Sequence, residues 1–200
     1  MKITKWIAAA ALTLIAAAPM NSMAGDGDSY TVNTKNSTVK WKGTKVGGEH
    51  VGMIQFKSGS LQMDDGNIKG GNIVMDMNSI TCTDIENAEY NGKLVGHLKS
   101  DDFFGVSQFP EAKMVIKSIK PAGGNKANVV ASVTIKGITK DVNFELESTE
   151  SNGTLTATGT VVIDRSDFNV KYASGSFFEG LGDKMIYDDF TLDFKLVASK

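Results

Sequence analysis

His50 and His97 are the only histidines of this 200-residue chain, and Cys82 is its only thiol. Acid–base, nucleophilic or metal chemistry must therefore be built around these three positions or from carboxylates. Neither histidine stands in an HExxH, GxSxG or paired-cysteine context, the patterns that bring a base to a nucleophile or two ligands to one ion. A metal would need two further donors, such as Glu49 or Asp101, from separate segments. Structural hydrogen bonding is thus the expectation for both histidines, with a head-group contact as the functional alternative for His50. No metal and no cofactor is expected. Cys82 has no partner for an internal disulfide and no His or Lys beside it to favour a thiolate, so it reads as a small, half-buried residue at a strand end. Asp101-Asp102 suit a turn or a helix N-terminus rather than a catalytic pair.

Two other groups of residues stand out. Arg165, the single arginine, lies in Asp164-Arg165-Ser166-Asp167 after an apolar strand. Such a corner is expected to hold the guanidinium on a carboxylate or on carbonyls, the alternative being an anionic head group. His97-Leu98-Lys99-Ser100-Asp101-Asp102-Phe103-Phe104, followed by Phe109-Pro110, interrupts a strand-like sequence with aromatics that must be hidden. Adjacent Phe103 and Phe104 would face opposite ways on a strand but can both pack inward in a helix or tight loop. The segment therefore reads as a short helix or plug leaning on a β structure. Tyr172, Phe177 and Phe178 fall in the loop before the last strand, suited to a rim or to packing beneath that loop.

The elements that must position these groups are almost all strands. Val129, Ala131, Val133 and Ile135 alternate with more polar residues, as do Val142, Phe144 and Leu146, then Leu155, Ala157, Gly159, Val161 and Ile163, and finally Phe190, Leu192, Phe194 and Leu196. Period-two alternation of this kind gives one buried and one wet face. Earlier segments, Thr38 to Lys45, Val51 to Lys57, Leu61 to Met63, Ile68 to Ser79 and Met114 to Ile119, read the same way. Asp65-Gly66, Lys136-Gly137 and Asn152-Gly153 punctuate them as hairpin turns. About eight strands, each with a single apolar face, are buried most simply by a sandwich or by a sheet closed on itself, and closure removes exposed edges. Small Ala157 and Gly159 on the inward row leave room for a cavity; Phe144, Phe190 and Phe194 could equally fill it. Met53, Met75, Met77 and Met114 would suit an adaptable apolar lining.

Lys2 and Lys5 precede an apolar run from Trp6 to Ala18, and Ser22-Met23-Ala24 has the small-residue pattern of a cleavage site. Residues 1–24 are therefore read as a cleaved signal peptide, leaving 25–200 as one domain in the periplasm or, alternatively, secreted. The formal charge of −2 becomes more acidic when the leader's lysines go. Nucleic acid is thus not an expected partner, since phosphate binding demands clustered Lys and Arg.

The order of several segments resembles the YceI-like family of exported lipid- or polyisoprenoid-binding proteins. The matching pieces are Trp41-Lys42-Gly43 with His50-Val51-Gly52, Ser79-Ile80-Thr81, the His97 to Phe104 stretch with Phe109-Pro110, Thr134 to Lys140, and Ile163 to Phe168. The resemblance implies an all-β fold: a single extended, antiparallel, lipocalin-like barrel with a short helix or plug. It also implies an interior that holds an isoprenoid lipid, such as a polyprenyl or quinone tail, and no catalysis. Joined to the inward rows, it gives a ligand-binding set of His50, Ile54, Phe56, Met75, Phe103, Phe104, Met114, Val133, Phe144, Ala157, Gly159, Val161, Phe168, Phe190 and Phe194. Transient membrane contact and a homodimer fit such a carrier. The alternative is a stress-related interaction module whose barrel is filled and takes no ligand.

Overall fold

The computed structural model describes residues 27–200; the signal peptide expected over 1–24 lies outside them. Nine strands and one helix follow in order: β1 (Asp28–Val32), β2 (Thr38–Lys45), β3 (Gly48–Asp64), β4 (Asn67–Cys82), α1 (Ala88–Lys99), β5 (Glu111–Gly123), β6 (Lys126–Ile135), β7 (Ile138–Ser151), β8 (Thr154–Asp164) and β9 (Ile186–Ser199). Strands β2 to β9 each pair antiparallel with their chain neighbours, and β9 returns to β2, so eight strands close an up-and-down barrel. β1 extends the wall at one end, pairing with the far half of β3 and the last residues of β9. No described helix is long and apolar enough to cross a membrane.

The alternating rows of β6, β8 and β9 face inward as the sequence predicts, with Ala131 and Ala198 fully buried and Leu155 and Val129 at 1% exposure. Asp65, Lys136 and Asn152 take positive φ ahead of Gly66, Gly137 and Gly153, the paired left-handed residues of tight primed hairpins. Parity fails where the ladders carry register shifts. Between Phe56 and Ser58, Lys57 is an extra residue on β3, so inward positions change from Ile54 and Phe56 to Leu61 and Met63. A similar shift between Ile116 and Ser118 turns β5. One bulged residue exchanges the faces of everything after it, and Met53, on the outward parity of β3, does not reach the interior.

The helical segment starts earlier than the aromatic stretch indicates. Asn87 caps α1, accepting from Glu89 N at 3.0 Å and Tyr90 N at 3.1 Å, which satisfies two otherwise orphaned donors. His97 to Lys99 form its last turn, and Ser100 to Phe109 continue in tight turns. α1 is tied to the barrel by Asn91 Nδ2, which donates to the carbonyls of Cys82 (3.0 Å) and Ile85 (2.9 Å), and by Lys99 Nζ on Asn78 O at 2.7 Å.

Candidate ligand-binding cavity

The two ends of the barrel differ. At the end of the β7–β8 turn and β1, Tyr30, Val32, Met63, Val129, Leu155 and Ala198 pack into a solid core. Towards the other end the interior opens into a cavity of about 250 Å³, against about 10–15 Å³ for one water. Along β9 its wall runs from Ile186 to Leu196, roughly 33 Å of strand and about 25 Å along the axis at the usual barrel tilt. The space is therefore long and narrow.

Of the residues expected to bind ligand, thirteen lie on this wall: His50, Ile54 and Phe56 on β3, Met75 on β4, Met114 on β5, Val133 on β6, Phe144 on β7, Ala157 and Val161 on β8, Phe190 and Phe194 on β9, and Phe103 and Phe104 from the turn after α1. Two do not. Gly159 is absent from the wall because the Phe194 ring covers it: a Cβ there would lie 2.9 Å from Phe194 Cε1 and 2.7 Å from Glu145 O. Phe168, 1% exposed, sits in the 3-10 turn Arg165–Phe168 and packs with Val133, Ile135, Val161 and Ile163 as core rather than lining. The wall also takes in Trp41, Leu94 and Leu98. The last two stand four apart on α1 and present one helical face to the cavity, a spacing legible in the sequence. Trp41 lies flat over Gly52, where a Cβ would meet the indole at 2.6 Å, and its Nε1 donates to Thr81 O at 2.9 Å.

Polar lining is confined to one end. Thr44 and Lys45 at the end of β2, His50, Lys113 at the start of β5, Arg165 and Tyr187 all lie where the strands meet the lid. The lid consists of α1, the turns to Phe109 and the 169–185 loop, joined by aromatics. The His97 ring stands edge-on to Phe103 (4.9 Å) and Tyr172 (4.5 Å), and Phe104 meets Phe190 at 6.2 Å. His97 Nε2 is 3.3 Å from Asp102 Oδ2, and Asp101 contributes its carbonyl to Lys136 Nζ; both acids occupy a turn, not a helix start.

Arg165 is the buried hinge of this lid, 4% exposed. Its Nε donates to Tyr187 O (3.2 Å), one terminal nitrogen donates to Val170 O and Tyr172 O (2.9 Å each), and the other donates to Ile186 O (2.9 Å) and lies 3.1 Å from Asp188 Oδ1. Burial pulls the guanidinium below its ordinary value, with Asp188 and Asp164 opposing that. The guanidinium donates to four carbonyls and is ion-paired, without a hydrogen bond, to Asp188 Oδ1. Tyr172, Phe177 and Phe178 remain largely exposed beside it.

His50 is engaged by Asp84, a residue the sequence gives no reason to place there. His50 Nδ1 lies 2.8 Å from Asp84 Oδ2, while Asp84 Oδ1 accepts from Val51 N (2.9 Å) and Cys82 Sγ (3.2 Å). Desolvation works to raise the carboxyl, but the bonds from His50, Val51 and Cys82 outweigh it and hold Asp84 at about 2. Burial, then Asp84, pushes the Cys82 thiol up. Glu49, one of the further donors a metal site would have needed, pairs with Lys42 at 3.9 Å.

A closed up-and-down barrel of eight strands, solid at one end and hollow beneath a lid at the other, has the lipocalin-like architecture. The chain belongs to the YceI-like family, whose domain matches residues 30–198. A UPF0312 protein of Vibrio parahaemolyticus is 26% identical over 148 residues, 72% of this chain and 73% of its own length. Among solved structures, Burkholderia cenocepacia BcnA is similar with a TM-score of 0.67 and 26% identity, covering 84% of this chain and 99% of that one. A polyisoprenoid-binding domain from Saccharophagus degradans, implicated in plant cell wall breakdown, shares the fold with a TM-score of 0.61 at 15% identity, covering 85% and 97%.

Proposed function

We propose that this protein is an exported carrier that holds the tail of an isoprenoid lipid, polyprenyl or quinone-type, inside its barrel and catalyses no reaction. The observation that carries this is the shape and chemistry of the cavity: long, narrow, apolar along its length, with polar side chains gathered at one end. An extended hydrocarbon entering tail-first would leave its head group near Lys45, His50 and Tyr187. Each buried CH₂ contributes about 0.8 kcal/mol, so a long tail can bind firmly after ordering costs, with loose selectivity along its length. The family membership and the polyisoprenoid-binding neighbour support the ligand class. The Lys2 to Ala24 leader supports export to the periplasm, where a carrier moves a lipid across water and contacts membranes transiently.

Trp41 lies on the cavity wall and reports occupancy directly. Titrating delipidated mature protein with a quinone or polyprenol should change its fluorescence saturably at one ligand per chain. Ligand at about 100 times Kd adds about 2.7 kcal/mol, a rise of about 5–11 °C in melting for a chain of this size. Unchanged fluorescence and melting with every prenyl compound offered would favour a ligand-free interaction module.

A further inference from the structure

We propose that His50, Cys82 and Asp84 form a binding site for one divalent transition-metal ion of the zinc class at the cavity mouth. The three side chains come from two chain segments that the β3–β4 ladder brings together, and their donor atoms all lie within 4.8 Å of one another. A tetrahedral ion with bonds of about 2.0–2.3 Å to nitrogen, oxygen and sulfur sets its ligands about 3.3–3.7 Å apart, within reach of small side-chain rotations. Imidazole, thiolate and carboxylate together are the donor set that such borderline ions select.

The surroundings fix the donors before an ion arrives. Asp84 Oδ1 is held by Val51 N at 2.9 Å, leaving Oδ2 directed at His50 Nδ1. The Cys82 carbonyl is clamped by Asn91 Nδ2, and Thr83 N donates to Val51 O at 2.9 Å, so both strand ends are pinned on either side of the site. Cys82 is 7% exposed, whereas the His50 and Asp84 side chains are 35% and 30% exposed, which gives an ion an approach from solvent. On binding, the ion takes the lone pair of His50 Nδ1, the ring staying a neutral imidazole with its one proton on Nε2, and displaces the Cys82 thiol proton to solvent. Thiolate and carboxylate then neutralise the dication. Three protein ligands leave a fourth position for water or an exogenous donor, and His50 places it beside the cavity mouth.

Untagged, chelator-stripped mature protein should be titrated with Co²⁺ in mildly alkaline buffer. One equivalent should produce a thiolate-to-cobalt charge-transfer band in the near ultraviolet together with intense tetrahedral visible bands, and one equivalent of Zn²⁺ should abolish both. Cys82→Ser should lose the charge-transfer band, and His50→Gln and Asp84→Asn should fail to saturate at cobalt levels that saturate the parent. Because these residues also tie β3 to the end of β4, folding of each variant is checked by circular dichroism. A second readout needs no thiol loss: Zn²⁺ should slow maleimide labelling of Cys82 in the parent and leave it unchanged in His50→Gln. A folded parent that gives no charge-transfer band, or a band that persists in both His50→Gln and Asp84→Asn, would overturn the site and leave a hydrogen-bonded corner.

Discussion

Replacing Arg165 with Met tests how the lid is held over the cavity. The substitution keeps an unbranched stem of similar reach but removes the donors to Val170, Tyr172, Tyr187 and Ile186 and the counter-charge of Asp188. Arg165 is 4% exposed and the Asp188 side chain 17%, so solvent screens the pair little. Breaking a buried ion pair by deleting one partner costs about 3–5 kcal/mol. The four orphaned carbonyls could add about 1–3 kcal/mol each if none reached water, but the loop that carries them can relax outward, so the ion-pair figure sets the scale. The expected loss is thus about 3–5 kcal/mol, a large share of the roughly 5–15 kcal/mol that a domain of this kind has. Urea unfolding followed by Trp41 fluorescence measures it. The companion Asp188→Asn in the Arg165→Met background should recover about 1–2 kcal/mol by removing the uncompensated charge. A loss below about 1 kcal/mol for Arg165→Met, or no recovery in the double variant, would refute the assignment of Arg165 as the buried tie of the lid.

Other consequences follow from the same geometry. Ala157→Phe, adding a ring on the cavity wall, should abolish prenyl-ligand titration while leaving a folded barrel by circular dichroism; retained affinity would contradict the cavity's role. Gly159→Ala should destabilise by about 1–3 kcal/mol in thermal melts, because its Cβ would sit 2.7 Å from Glu145 O and against the Phe194 ring, and a neutral effect would mean that strand pair yields easily. Glu111 lies at the β4–β5 junction, bonded by Lys57 at 2.8 Å and Lys113 at 3.2 Å, which hold its carboxyl below the ordinary glutamate value. Its contribution to stability is therefore present above that ordinary value and fades as pH falls through the lowered one. Lys57→Met should move the Glu111 titration, followed by NMR, back towards the ordinary value, and no movement would contradict the pairing.

Much of the barrel is legible because it is regular. The residue pattern alone bounds Thr38 to Lys45, which coincides with β2, and the rows of β6 to β9 keep parity because their ladders with β7, β8 and β9 run without register shifts. Asn152-Gly153 and Lys136-Gly137 specify their hairpins through local backbone preference. What resists reading is non-local. The extra residues at Lys57 and Lys117 exchange faces without any composition signal, and short β1 has too few residues to show a period. Gly159 falls in the inward row as a small residue, yet the room it leaves belongs to Phe194; only three-dimensional packing separates it from Ala157. Asp84 meets His50 because a tight turn and a bulged ladder set the register of β3 against both neighbours, a juxtaposition that no spacing in the chain announces. Asn87 and the Leu94–Leu98 spacing lie ahead of the aromatic stretch, so a reading centred on His97 to Phe104 meets only the last turn of α1.

Whether the barrel carries a lipid is tested most directly by purifying the mature protein from its native host without detergent, extracting it with organic solvent and identifying the extract by mass spectrometry. A carrier predicts a prenyl-chain compound in stoichiometric amount, lost in Ala157→Phe. An extract free of prenyl lipid, repeated after incubation with polyprenols and quinones, would contradict the account.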